Sequence, residues 1–134
     1  MRADSPLAIP IVRMTNINLL PGKWKADEII EDTRQGVLMM VNKSWSIDDR
    51  RLNFQFGTEI SWEIKNGSKE KILKNPTYTG MTPVFWGSCD AVSKDNWKMW
   101  GTPNCGKGVP PQSMYVGHGC GMARFRKTRI GVLR

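Results

Sequence analysis

The middle of the chain contains two stretches in which apolar and polar residues alternate, a period-2 pattern typical of half-buried β-strands. The alternating apolar positions are Leu52, Phe54, Phe56, Ile60, Trp62 and Ile64. Gly57-Thr58 separates the two stretches, so they are predicted to pair as an antiparallel hairpin with these side chains on its inner face. Asn66-Gly67 is a dipeptide favoured by type I′ turns, and it predicts a second hairpin into a strand at residues 71–74.

The first forty residues predict a strand, a helix and a second strand, in that order. Partial alternation over residues 9–20 indicates a strand that ends at the turn-forming pair Pro21-Gly22. A helix is predicted over residues 23–35, with Gly36 as its C-cap and an apolar face made of Ala26, Ile29, Ile30 and Thr33. The apolar run at residues 37–41 predicts a buried strand, and the polar residues 42–49 predict a loop anchored by Trp45.

The second half of the chain predicts one further helix and two closing strands. Thr82 is the expected N-cap and Pro83 the expected first helical residue, and Phe85, Cys89 and Val92 would share a face. Residues 95–112 predict an ordered loop, while residues 114–116 and 122–133 predict strands on either side of a turn at 117–119. Together these elements indicate an α+β fold, a largely antiparallel β-sheet with two short helices.

Length and composition point to a folded, soluble chain. The 134 residues predict a single domain over positions 1–134, and 40% hydrophobic with 24% charged residues excludes wholesale disorder. No apolar run approaches the ~18 residues of a membrane span. Asp4, Pro6 and Pro10 interrupt the opening residues, where a signal peptide would be apolar. We therefore expect a cytoplasmic protein that does not use a membrane.

The net charge of +8 lies entirely in the second half of the chain. Residues 1–67 carry nine Lys and Arg against nine Asp and Glu, whereas residues 68–134 carry eleven against three. A solvated basic face is the simpler and preferred interpretation, because these charges are scattered. The alternative is a nucleic-acid-binding module on a basic strand with one aromatic residue, formed by Arg124, Phe125, Arg126, Lys127 and Arg129.

Three cysteines and one histidine limit the chemistry that the chain can carry alone. Cys89, Cys105 and Cys120 include no C-x-x-C pair, which argues against a disulfide framework and fits a reducing compartment. His118 is the sole histidine and no H-E-x-x-H sequence occurs, so the chain cannot build a His/His/carboxylate zinc site. A self-contained structural zinc site made of all four residues is an alternative, although His118-x-Cys120 is tighter than usual zinc-finger spacing.

Cys105 is the strongest candidate for chemistry because of its neighbours. It lies within the Gly- and Pro-rich residues 101–110, where Gly106 would permit close approach of the backbone and Lys107 would favour the thiolate or hold an anion. Such a cysteine is either a metal ligand or a nucleophile, and a purely structural loop cysteine is the alternative. We expect its sulfur to be accessible, and we expect Cys89 to be buried and inert on the apolar face of its helix.

Six motifs in a fixed order resemble the C-terminal domain of the TldD/PmbA family, metalloproteases once described as modulators of DNA gyrase. The motifs are residues 13–22, 27–36, 53–57, 64–67 and 78–80, and Cys105-Gly106-Lys107 with Gln112. They extend over nearly the whole chain, from about Arg13 to Val132. Their order and spacing carry the resemblance, since none of the motifs is decisive alone.

The resemblance implies a metal site that this chain completes only in part. In the catalytic TldD branch, zinc is held by two histidines of an H-E-x-x-x-H helix and by the cysteine of a C-G-K motif, which corresponds to Cys105. That helix belongs to the preceding part of the full-length protein. Cys105 would therefore be the metal ligand of the present chain, supported by Gly106, Lys107, Gln112 and His118. Because the PmbA branch generally lacks the ligands, the C-G-K sequence places the chain with the catalytic branch.

The resemblance further implies a zinc-dependent hydrolase that cleaves peptides or unfolded polypeptide segments in the cytoplasm. Its partners would be the N-terminal region of the same protein and a second subunit, in a homodimer or a heterodimer. No catalytic residue is expected in the present chain, since the H-E-x-x-x-H helix with its glutamate base is missing from it. The 134 residues alone are expected to fold but to be inactive as a peptidase.

Overall fold

The computed structural model describes residues 1–132, which form two short helices and nine strands. In chain order these are α1 (Ala26–Glu31), β1 (Gln35–Ile47), β2 (Asn53–Lys65), β3 (Ser68–Ile72), β4 (Pro76–Met81), α2 (Thr82–Gly87), β5 (Cys89–Val92), β6 (Lys98–Lys107), β7 (Gln112–Cys120), β8 (Ala123–Phe125) and β9 (Arg129–Val132). Within this part of the chain neither helix is long enough to cross a membrane.

Antiparallel pairing dominates the fold. The main sheet has the strand order β1-β2-β4-β9, with β3 beside the far end of β2. Two further pairs, β5 with β8 and β6 with β7, form separate two-stranded sheets. All strand pairs are antiparallel, and with the two short helices this confirms the predicted α+β class.

The predicted hairpin at Gly57-Thr58 is wrong, because both alternating stretches belong to the single strand β2. β2 pairs along its length with β1, whose register places Leu38 opposite Trp62 and Ile47 opposite Phe54, and β3 and β4 also pair with β2. The predicted loop at residues 42–49 is therefore largely strand, and Trp45 pairs with Phe56 inside it. Main-chain hydrogen bonds between strands do not depend on side-chain polarity. The polar residues 42–47 can therefore pair with the long strand β2.

The second predicted hairpin is confirmed. Asn66-Gly67 connects β2 to β3, both residues have positive φ (49° and 80°), and Lys65 lies opposite Ser68. A Cβ atom on Gly67 would lie 2.7 Å from the carbonyl oxygen of Glu31, so glycine is required here by conformation and by space. β3 begins at Ser68, three residues before the predicted strand.

Both helices are six residues long, shorter than the sequence predicts. α1 begins where the Glu28 carboxylate accepts a hydrogen bond from the Lys25 amide (2.8 Å), and its buried residue is Ile29. It ends at Glu31 because the chain enters β1 at Gln35, so Gly36 is a strand residue rather than a C-cap.

α2 ends at Gly87, and its N-cap is Met81 rather than Thr82. Cys89 and Val92 therefore belong to β5, and they do not share a helix face with Phe85.

The last third of the chain contains more strand than predicted. The expected loop at residues 95–112 contains β6, and the expected turn at 117–119 lies inside β7. The closing stretch forms β8 and β9, with Leu133 outside the described residues. Residues 9–20, in contrast, form no strand, and the bridge between Arg2 and Ile11 is isolated. Side-chain pattern alone missed β6 and the middle of β7 because glycine occurs inside both strands and proline inside β6.

An aromatic cluster joins the main sheet to the β5–β8 sheet. Phe54 packs against Phe56 and Tyr78 within the main sheet, with ring centroids 5.5 and 6.0 Å away, and against Phe85 of α2 at 5.1 Å. Phe85 in turn stacks on Phe125 of β8 at 3.9 Å. Burial in this cluster raises the pKa of Tyr78. The cluster holds the two sheets together through apolar contact.

Candidate metal-ligand site around Cys105

Cys105 lies on the β6–β7 pair, here called the ribbon. Opposite residues of an antiparallel pair share a face, and alternate residues of a strand do the same. Cys105 is opposite Met114, Lys107 is opposite Gln112, and His118 lies four residues beyond Met114 on β7. One face of the ribbon therefore presents Cys105, Lys107, Gln112 and His118, four of the five predicted site residues.

The other three side chains of this face bond the main chain of residues 1–22, here called the leading segment. The Gln112 amide donates to the Ile9 carbonyl at 2.7 Å, and the Lys107 ammonium donates to the carbonyl of Val12. His118 Nδ1 lies 3.0 Å from the Ile17 carbonyl oxygen. The predicted supporting residues thus hold the leading segment against the ribbon instead of surrounding the thiol of Cys105.

Two asparagines extend this attachment along the free edge of β7. The Asn16 side-chain oxygen accepts from the Gly117 amide at 2.9 Å, and the Asn18 side-chain oxygen accepts from the Gly119 amide at 2.7 Å. The Leu19 amide also donates to the Gly119 carbonyl. Sequence reasoning missed this contact, although the matching two-residue spacings of Asn16/Asn18 and Gly117/Gly119 were visible as a signal.

Arg13 contacts Cys105 directly, although the sequence did not identify it as a site residue. Its side chain is buried, and its Nη2 donates to the carbonyl oxygen of Cys105. The Nε and Nη1 groups are also buried and have no hydrogen-bond partner within residues 1–132. An arginine between Val12 and Met14 in an otherwise apolar stretch was the available signal, because such a residue is costly to bury.

Cys105 itself is half-buried on a strand rather than exposed on a loop. Space beside Gly106 is open, since a Cβ atom there would meet nothing nearer than 4.0 Å. The close backbone approach predicted for this glycine therefore does not occur among residues 1–132. The described residues contain no group of three His, Cys, Asp or Glu side chains that could hold a metal ion. A thiolate is a normal zinc donor, so the chemistry of Cys105 is compatible with a metal ligand.

The alternative zinc site within this chain is wrong for the described residues. Cys89 lies on β5, in a different sheet from the ribbon. On the ribbon, His118 is four strand positions from the residue opposite Cys105, which corresponds to about 13 Å. Cys120 lies two positions farther along β7. Zinc–ligand distances of about 2 Å cannot be met by residues so far apart.

The basic strand proposed for nucleic acid is partly neutralised by carboxylates. Arg124 contacts Asp90 and Asp32, each at 2.8 Å, and Arg126 also contacts Asp90. The hydrogen bond from Arg124 is the largest cause that holds the pKa of Asp90 below its ordinary value. Two cations of the predicted patch are thus engaged inside the domain, and no observation favours a nucleic-acid surface over a solvated basic face.

Comparison with known proteins decides the family. Residues 1–131 match the family described as the PmbA/TldA metallopeptidase C-terminal domain. The chain belongs to this family. The match confirms the TldD/PmbA resemblance drawn from the six motifs.

Several curated members of the TldD/PmbA family are similar to the chain. A protein of Methanocaldococcus jannaschii named a metalloprotease is 35% identical over 86% of the chain, and one of Methanothermobacter thermautotrophicus is 34% identical over 91%. A metalloprotease TldD homolog of Buchnera aphidicola is 30% identical over 97%. The chain spans only 25–26% of the length of these relatives. It is therefore a TldD/PmbA metalloprotease domain.

Proposed function

We propose that this domain supplies Cys105 as a zinc ligand to a metallopeptidase whose remaining catalytic groups lie in the preceding part of the full-length protein. The observation that carries the proposal is the position of Cys105. Its thiol lies on the one ribbon face whose other polar side chains attach the leading segment, and the main-chain carbonyl of Cys105 is itself bonded by Arg13. Membership of the metallopeptidase family supports a metal-dependent activity.

The donor set of the described residues fits a shared metal centre. A single thiolate cannot hold zinc, but a His/His/Cys set with one open position can, and such a centre activates a water molecule for hydrolysis. Two histidines and a glutamate base from an H-E-x-x-x-H helix would complete the site. In this arrangement the chain's own contribution is to present the sulfur of Cys105 at a fixed place. Lys107, Gln112 and His118 contribute by holding the leading segment against the same ribbon face.

The substrates proposed are peptides or unfolded polypeptide segments, cleaved in the cytoplasm. The partners proposed are the N-terminal region of the same polypeptide and a second subunit, in a homodimer or a heterodimer. The relatives named metalloproteases are about four times longer than the matched part, which leaves ample sequence for a metal-binding helix. The domain alone would have no peptidase activity.

The test replaces Cys105 by serine in a full-length protein that carries this domain. Serine keeps the size but removes the thiolate. The affinity for zinc should therefore fall by about 10-fold or more, and turnover should fall with it. Cys120→Ser is the matched control, because Cys120 is exposed on the same strand pair. Thermal unfolding should be unchanged in both variants. Full zinc content and full turnover in Cys105→Ser would overturn the proposal, as would chelator-sensitive peptidase activity of the isolated 134-residue chain.

A further inference from the structure

Two side chains, Arg13 and Lys107, fasten the leading segment to the ribbon in opposite directions. Arg13 of the leading segment donates to the main chain of Cys105, and Lys107 of the ribbon donates to the main chain of Val12. We propose that this reciprocal pair, here called the clamp, makes Arg13 and Lys107 positioning residues for the thiol of Cys105. The inference rests on the proposed role of Cys105 as a ligand.

The geometry of the clamp restrains the strand on which Cys105 lies. Each segment supplies one donor and one acceptor. In the leading segment the acceptor carbonyl of Val12 is directly followed by the donor Arg13, and on β6 the acceptor carbonyl of Cys105 lies two residues before the donor Lys107. Cys105 and Lys107 lie on the same face of β6, so the bonds hold both ends of one short stretch. Each bond has a cationic donor, the stronger class of hydrogen bond.

Folding stability alone gives a poor account of Arg13. Arg13 is only 9% exposed, and its Nε and Nη1 atoms have no hydrogen-bond partner within residues 1–132. Leaving buried charged donors unpaired is unfavourable, and an apolar residue of similar volume is often neutral or stabilising at such a place. What Arg13 provides, and an apolar residue would not, is its bond to the carbonyl of Cys105.

The link from that bond to chemistry is orientation. Groups that bond the residues around a metal ligand fix the direction in which the ligand points, and their loss typically lowers metal affinity. The Cys105 carbonyl and thiol belong to the same residue, so restraining the former restricts the latter. Sequence motifs suggested that Lys107 would act on the thiol by charge, whereas the clamp makes it act through the backbone.

The experiment measures the alkylation rate of each cysteine by mass spectrometry in the present chain, over a pH series that reaches the thiolate plateau. Arg13→Met keeps the length and burial of the side chain but removes the donor. We expect the plateau rate at Cys105 to rise about threefold or more, because the half-buried thiol opens more often. The alkylation rate at Cys120 should change by less than this factor, and the midpoint temperature of thermal unfolding should stay the same. Lys98→Met, at the opposite end of the ribbon, is the matched control and should leave Cys105 unchanged.

Further variants separate the clamp from mere packing. Arg13→Lys retains a cationic donor and should restore a rate within about twofold of the original. Lys107→Met breaks the second bond and should repeat the effect of Arg13→Met, which keeps the test decisive if one variant fails to fold. An unchanged Cys105 rate in both Met variants would overturn the clamp. So would an equal rise at Cys105 and Cys120, since general loosening would then be the cause.

Metal binding provides a readout that distinguishes this inference from the proposed function. In a full-length protein carrying the domain, Arg13→Met should weaken zinc binding by about 10-fold. If Cys105 alkylation responds as expected but neither Arg13→Met nor Cys105→Ser alters zinc binding, the clamp is real and the ligand assignment is wrong. If Cys105→Ser removes zinc but Arg13→Met changes neither alkylation nor affinity, the ligand assignment holds and the clamp is wrong.

Discussion

The charged residue beside Cys89 affects the pKa of its thiol. Cys89 is half-buried on β5, and burial together with the negative charge of Asp90 raises the pKa of its thiol. The prediction that Cys89 is buried on a helix face is wrong, since it is half-buried on a strand. Its low reactivity stays a prediction, which the raised pKa favours because the thiolate is the reactive form. The same Asp90 also accepts from Arg124, which makes this carboxylate the centre of a small ionic group.

Arg124 and Arg126 contact the same carboxylate but should differ in their contribution to stability. Arg124 is 11% exposed, bonds Asp90, Asp32 and Thr33, and lies 5.7 Å from the ring centroid of Trp24. Arg126 is 49% exposed. Arg124→Ala should lower the free energy of unfolding by about 2 kcal/mol because it removes a mostly buried side chain together with its bonds to Asp90 and Asp32. Arg126→Ala should cost about 0.5 kcal/mol or less. Urea unfolding checks the pair, and equal losses would contradict it.

The ionic group also gives stability a pH dependence of known sign. The pKa of Asp90 is lowered in the folded chain, so its contribution is fully present above the unfolded value of about 4 and is lost as pH falls through the lower, folded value. Asp90→Asn should be less stable than the original chain at pH 7, and the difference should shrink towards pH 3. A constant difference across that range, measured by thermal unfolding, would show that Asp90 is not the group that titrates.

At the scale of elements, the period-2 pattern predicted a strand at β2 but neither its partner strands nor all of its inner positions. Leu52 and Ile60, expected on the inner face, are 37% and 44% exposed, whereas Ser61 is fully buried. The inner positions Phe54 and Phe56 pack in the aromatic cluster as the period-2 pattern requires. Phe54→Ala should therefore cost about 3 kcal/mol through lost burial and ring contacts. Gln55→Ala, on the neighbouring exposed position, should stay near zero. Chemical unfolding of both variants measures the difference, and similar losses would mean that the side-chain register is wrong.

The remaining errors at this scale share a cause. Side-chain pattern reports which face is buried, but it does not report which main-chain groups pair. The turn at Asn66-Gly67 was predictable because few residue types favour positive φ. Residues 42–47 were not predictable as part of β1, because main-chain pairing between strands tolerates any side chain. β6 was missed because Gly101 and Pro103 are unfavourable in isolated strands. Pairing with β7 stabilises the strand in spite of them.

At the scale of the whole molecule, the sequence located Cys105 but not what holds it. The C-G-K motif is local and can be read directly from the sequence, and its role as a metal-ligand motif stays a prediction. The contact between Arg13 and Cys105 joins residues 92 positions apart, which no local pattern specifies. The roles of Gln112 and His118 as supports of the leading segment depend on the same long-range placement.

The leading segment also determines how the isolated chain should behave in solution. Several of its apolar side chains are open to solvent, with Leu7 97%, Leu20 72% and Ile9 68% exposed. Contiguous exposed apolar surface binds hydrophobic dyes and promotes association. We expect the folded chain to enhance ANS fluorescence, and the triple variant Leu7→Gln, Ile9→Gln, Leu20→Gln to lose about half of that signal.

Val109→Gln provides the control for this dye experiment, because Val109 is 94% exposed but lies outside the leading segment. It should leave ANS fluorescence almost unchanged. Cooperative thermal unfolding of all variants would show that the dye reports a native surface. A triple variant with undiminished fluorescence would place the apolar surface elsewhere on the molecule.

The attachment of the ribbon has a consequence for how the molecule comes apart. Within the described residues, β6 and β7 pair with each other and with no strand of the main sheet. Side-chain bonds to residues 9–18 carry much of their connection to the leading segment. A unit joined in this way opens at a lower free energy than the global transition and behaves as a separate foldon. Amide protons of β6 and β7 should accordingly exchange by subglobal opening while those of β2 still await complete unfolding.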